Sequence, residues 1–60
     1  MRKIIIKNKK SEKVIIELND VIEYEFTSYG DNVDITLHTL DNVKYTIELK
    51  DEFNYKIIID

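Results

Sequence analysis

The chain has no cysteine, so no disulfide can staple it and no thiolate can hold a metal ion. A single histidine, His38, leaves any metal site to carboxylates, which favour weakly held hard cations. No apolar run approaches the roughly eighteen residues that a membrane span needs. The run Ile4-Ile5-Ile6 behind the basic start is too short for a signal peptide. Proline, alanine, glutamine and tryptophan are also missing, while isoleucine, lysine, aspartate, glutamate, asparagine and tyrosine abound, the bias of a low-GC genome. The expectation is a soluble cytoplasmic protein without metal or cofactor.

What is present is charge and β-forming residues. Sixty residues make one small domain, 1–60, near the size limit for independent stability. Net charge is −3, unevenly spread: residues 1–30 carry a net +1 and residues 31–60 a net −4. An acidic domain is a poor candidate for wholesale phosphate binding, which needs a net basic face.

Isoleucine, valine, tyrosine, phenylalanine and threonine alternate with charged residues throughout, the period-2 pattern of half-buried strands. Six strands are expected, near Arg2–Lys7, Lys13–Leu18, Ile22–Thr27, Asn32–Thr39, Val43–Leu49 and Phe53–Ile59. Short links such as Asn19-Asp20, Tyr29-Gly30-Asp31 and Lys50-Asp51 predict hairpins between neighbours. The fold class is all-β: a six-stranded antiparallel meander forming a small barrel or a three-on-three sandwich. Parity gathers Ile4, Ile6, Val14, Ile16, Leu18, Ile22, Tyr24, Phe26, Val33, Ile35, Leu37, Val43, Tyr45, Ile47, Leu49, Phe53, Tyr55, Ile57 and Ile59 on one buried face. Aligning Ile4–Phe26 with Ile35–Ile57 needs no gap and gives seven identities, among them Ile16/Ile47, Glu17/Glu48, Leu18/Leu49 and Tyr24/Tyr55. Duplication of a three-stranded unit, with half-repeats near 1–30 and 31–60, is one account of this echo. The bare similarity of alternating strands is the other.

Catalytic signals are weak. His38 is the only side chain that titrates naturally near neutrality. It lies by parity on an outer face with Asp34 and Thr36, and no nucleophile motif surrounds Ser11 or Ser28. Asp31, Asn32 and Asp34 match no calcium loop and read as turn chemistry beside Gly30. No enzyme is expected.

Two features point to binding. With three-residue-type turns, parity sets Glu17 opposite Glu23, Glu25 opposite Asp34, and Asp34 opposite Glu48, an acidic row across the outer face. Like charges directly opposite destabilise a sheet, and a partner surface rich in lysine or arginine relieves that repulsion. The second feature is outward isoleucine: Ile5 pairing with Ile15 across the first hairpin, and Ile58 beside them if the first and last strands adjoin. Such a stripe suits a homodimer interface.

In small size, acidic low-GC composition and all-β character, the chain resembles the inhibitors that phages use against host defences, for example the Hachiman anti-defence type. The resemblance extends to no motif and transfers no residue role. It implies a non-enzymatic protein that works by occupying a host surface. The expected function is thus an inhibitor whose acidic residues Glu17, Glu23, Glu25, Asp34 and Glu48 engage a basic surface on a host protein. Two alternatives stand beside it. A nucleic-acid-binding module would use the first hairpin, where Arg2, Lys3, Lys7, Lys9, Lys10 and Lys13 cluster without an interleaved aromatic. A dimeric nucleotide sponge would stack a base on Tyr24, Tyr45 or Tyr55.

Overall fold

The computed structural model describes residues 1–60. It is all-β: β1 (Arg2–Asn8), β2 (Val14–Tyr29), β3 (Asn32–Thr39), β4 (Lys44–Leu49) and β5 (Tyr55–Ile59), with a 3-10 turn at Glu52–Asn54 before β5. They form one antiparallel sheet in the order β4-β3-β2-β1-β5.

Five strands replace the expected six because Asn19-Asp20 is not a turn. The chain runs through it extended, and the second and third expected strands are two halves of β2. The N-terminal half pairs with β1 and the C-terminal half with β3. Sixteen extended residues would span about 50 Å, yet the longest dimension of the molecule is 30 Å. β2 must therefore bend, and the register shows how. Between Ile6↔Ile16 and Lys7↔Val14, between Arg2↔Val21 and Ile4↔Leu18, and between Val21↔Thr39 and Glu23↔His38, β2 spends one residue more than its partner. Such bulges bend a strand and raise its twist, so the extra residues turn the sheet's apolar side in on itself.

The bulge at Ile22 corrects the expected core. Strict alternation puts Ile22 inside, but the extra residue shifts the phase: Val21 is 1% exposed and Ile22 57%. The core is Ile4, Ile6, Val21, Val33, Ile35, Leu37 and Leu49, with Ile16, Leu18, Phe26, Tyr45, Ile47, Tyr55 and Ile57 packed partly against it. Val14, Tyr24, Val43, Phe53 and Ile59, also assigned to the core by parity, are exposed. Buried Thr39 donates its hydroxyl to the Asp41 carboxylate at the β3–β4 turn.

The sheet does not close into a barrel, and it is not two stacked sheets. With every neighbour antiparallel, an odd number of strands leaves β4 and β5 running the same way. No antiparallel ladder can join them. Their connection is instead drawn over the end of the fold: Asp51 sits at φ 56°, its N–H meets Asn32 Oδ1 at 3.3 Å, and the Glu52 N–H donates to the Asp31 carbonyl at 2.7 Å. The last strand then pairs with β1. The two halves of the sequence echo accordingly take different structures. Tyr24 lies opposite Leu37 in mid-sheet, and Tyr55 lies opposite Asn8. Asp20 is inside a strand while its counterpart Asp51 is in a turn.

The phase shift is testable. Val21→Ala should cost about 2 kcal/mol, from two buried methyls and the void they leave, whereas Ile22→Ala should stay within about 0.5 kcal/mol. Equal losses in urea melts of the two variants would contradict the bulge.

Candidate functional site: an acidic outer facet

The bend divides the outward side into two facets of different character. On the first, built from the C-terminal half of β2 with β3 and β4, the register sets three rows: Thr27–Asp34–Glu48, Glu25–Thr36–Thr46 and Glu23–His38–Lys44. Four carboxylates share this facet with one ammonium, Lys44. On the second, built from β5, β1 and the N-terminal half of β2, Lys56, Lys3 and Lys7 surround the outward pair Ile58↔Ile5.

Of the five acidic residues that the sequence proposes as one face, the structure gathers Glu23, Glu25, Asp34 and Glu48. Glu17 lies on the second facet, opposite Ile5, and forms an ion pair with Lys3 at 3.7 Å. The expected Glu17–Glu23 and Glu25–Asp34 pairs do not form, because β2 runs through Asn19-Asp20 and a tight turn at Gly30-Asp31 fixes the β2–β3 register. Glu23 faces His38, and Glu25 faces Thr36. Gly30 supplies the positive φ (57°) that this turn needs.

Asp34 and Glu48 do lie directly opposite, as expected. What the sequence did not show is how their repulsion is relieved. Tyr29, at the end of β2, lays its hydroxyl against both carboxylates, 2.6 Å from Glu48 Oε2 and 3.3 Å from Asp34 Oδ1. The phenol is pushed up to about 12 from its ordinary 10, first by the hydrogen bond to Glu48, then by desolvation and by the negative charge of Asp34 and Glu48. A two-residue turn after β2 could have signalled that Tyr29 shares this corner.

Between the rows lies a depression of about 240 Å³ lined by Glu23, Tyr24, Glu25, Thr36, His38 and Lys44. It is shallow, open and polar. His38 stands between Glu23 and Lys44 in register, but it makes no side-chain hydrogen bond to either hydroxyl-bearing residue of the lining, Thr36 or Tyr24. No three His, Asp or Glu side chains converge as metal ligands. Tyr24 packs on Phe26 with ring centroids 5.6 Å apart. Tyr45 and Tyr55 line no part of the depression. At the His38 end of the facet two apolar side chains stand out, Ile22 at 57% and Leu40 at 63% exposure. The Leu40 N–H donates to the Asp20 carbonyl at 2.9 Å, which holds the two segments together.

Of the three proposed interface isoleucines, Ile5 and Ile58 are direct cross-strand partners and half-buried. Ile15 is the bulged residue between Val14 and Ile16, and Ile5 faces Glu17 rather than Ile15. No helix is long and apolar enough to cross a membrane. No protein-family model matches the chain, and neither does any curated protein or solved structure.

Tyr29→Phe removes the only proton shared by the opposed carboxylates. The variant should melt at a lower temperature in low salt, with the deficit shrinking as salt screens the pair. The sign in pH follows from the raised pKa: the stabilisation holds below pH 10 and is lost as pH rises through about 12. A spectrophotometric tyrosine titration of the parent should show a late step that Tyr29→Phe lacks.

Proposed function

We propose that this protein is a non-enzymatic binding module, an inhibitor of phage or mobile-element type whose acidic facet occupies a basic surface on a host protein. The observation that supports the reading is the arrangement of Glu23, Glu25, Asp34 and Glu48 on one side of the bend, with Glu23 and Glu25 making no ion pair or side-chain hydrogen bond within the chain. Carboxylates held unpaired on a rigid sheet attract a cationic partner over several ångströms and favour its encounter. Ile22 and Leu40 at the facet's end add the apolar contact that an interface centre draws on. A host protein that normally holds nucleic acid has the basic surface this facet fits, so the inhibitor acts by occupying it.

A second reading rests on the first hairpin. The sequence places no aromatic among Lys7, Lys9, Lys10 and Lys13, but the fold does. The Lys9 N–H donates to the Asn54 carbonyl at 2.9 Å and Asn8 faces Tyr55, which brings Phe53, 63% exposed, and Tyr55 to the hairpin. Lysines beside an exposed aromatic, here Phe53, are elements of single-strand binding.

Affinity capture from host lysate with Glu23→Lys/Glu25→Lys as control tests the first reading. Capture of a basic protein that weakens steeply with salt and disappears with the double variant supports it. Salt-independent capture, or capture unchanged by the reversal, overturns it. A gel shift of single-stranded nucleic acid that is lost in Lys7→Glu/Lys9→Glu/Lys10→Glu decides for the second.

A further inference from the structure

The sheet leaves two edges, β4 and β5, without a neighbour. Lys3 and Asp60 exchange both backbone hydrogen bonds, N to O at 3.2 and 2.9 Å, and Lys9 N–H reaches the Asn54 carbonyl at 2.9 Å. In an antiparallel ladder, bonded and non-bonded pairs alternate. The backbone groups of Lys56 and Ile58 therefore turn toward β1, and those of Ile57 and Ile59 turn toward the free edge. The Tyr55 N–H is already bonded to the Glu52 carbonyl in the 3-10 turn. An added antiparallel strand thus finds complete donor–acceptor pairs at Ile57 and Ile59 only.

We infer that two copies of the chain join through β5 about a two-fold axis, in the register that sets Ile57 against Ile59 of the second copy. That register is the one in which both edge residues of each copy exchange both their bonds. Its side chains match. On the inner side Ile57 meets Ile59, covering a residue now 38% exposed. On the outer side Ile58 meets Ile58 at the axis, and Lys56 meets Asp60 twice by symmetry. The outward Ile5–Ile58 pair of one copy then continues into that of the other, so that four isoleucines run across the junction. Moving the axis by one residue, to Ile57 against Ile57, would set Ile59 against Tyr55, whose N–H is already taken; moving it by two, to Ile57 against Tyr55, would set Lys56 against Lys56.

The β4 edge can also be written as a two-fold pair, with Lys44 opposite Glu48 and Thr46 on the axis. That junction would lay two acidic facets side by side, and Glu48 already takes the Tyr29 hydroxyl. The β5 junction joins facets in which lysines offset the acids. It therefore accounts for the outward isoleucines without crowding like charge. This inference is independent of the acidic-facet reading, because the β5 edge and that facet lie at opposite sides of the sheet.

Sedimentation equilibrium over a range of protein concentrations, with circular dichroism as a check of fold, tests it. The parent should be a dimer of the 7.2 kDa chain. Ile59→Pro removes an N–H that the single chain leaves unused, so it should give a folded monomer. Lys56→Asp should weaken the dimer by about tenfold or more, since it turns two attractive pairs into repulsive ones. Lys56→Asp/Asp60→Lys should restore it, and this exchange reads the register even where the proline variant fails to fold. A parent that stays monomeric, a dimer that survives Ile59→Pro in folded form, or a charge exchange that does not restore association overturns the proposal.

Discussion

The bend of β2 is the constraint on which the rest depends. A sixty-residue chain with no helix to cover its sheet must hide the apolar side against itself. One long strand shared by both halves of the sheet achieves this, and the residues inserted at its bulges set how sharply it turns. Ile4 and Ile6 on β1 come to face Val33, Ile35 and Leu37 on β3 because β2 carries both neighbours around the corner. The core that results is small, seven buried apolar residues, and much of the aliphatic surface stays at the margins. Such a protein has little stability to spare, which gives weight to polar devices such as the Thr39–Asp41 bond and the Tyr29 bridge.

The bend also produces an asymmetry of charge. In a flat sheet the outward charges would mix. Folded at Asn19–Glu23, the sheet sends the acids of β3, β4 and the C-terminal half of β2 one way and the lysines of β1 and β5 another. The mild charge gradient along the sequence becomes two facets in space. Asp34 and Glu48 remain together at a cost that Tyr29 offsets, which is how a like-charged pair can persist in a sheet of marginal stability.

Much of this is legible in the sequence, and the larger failures arise in β2. The expected strand Asn32–Thr39 has the bounds of β3, the first and last strands adjoin as the isoleucine stripe requires, and Asp34 faces Glu48. Strict period-2 reading fails wherever β2 takes an extra residue. It sends Ile22 inside in place of Val21, while the turn-type residues Asn19-Asp20, read as a hairpin, pair Glu17 with Glu23. Bulges carry no compulsory residue type: Ile15 and Ile22 are ordinary strand formers. Only the pairing with β1 and β3, a property of the whole sheet, reveals that they are surplus. The role of Tyr29 was hidden for a related reason, since its hydroxyl meets side chains that the turn and the register bring to it.

Openness follows from the same count. A sixth strand would have allowed an antiparallel sheet to close; fusing two into β2 leaves five, and β4 and β5 then run the same way with their edges free. Natural sheets guard such edges with charge, proline or covering segments. Here β4 has Lys44 and Glu48 and no proline. On β5, Lys56 is the only charged residue before three consecutive isoleucines. An edge so lightly guarded, on a protein with so small a core, is one whose burial would stabilise the fold. The same strand count that keeps the barrel open thus leaves at β5 the self-complementary order Lys56, Ile57, Ile58, Ile59, Asp60 on which the proposed pairing rests.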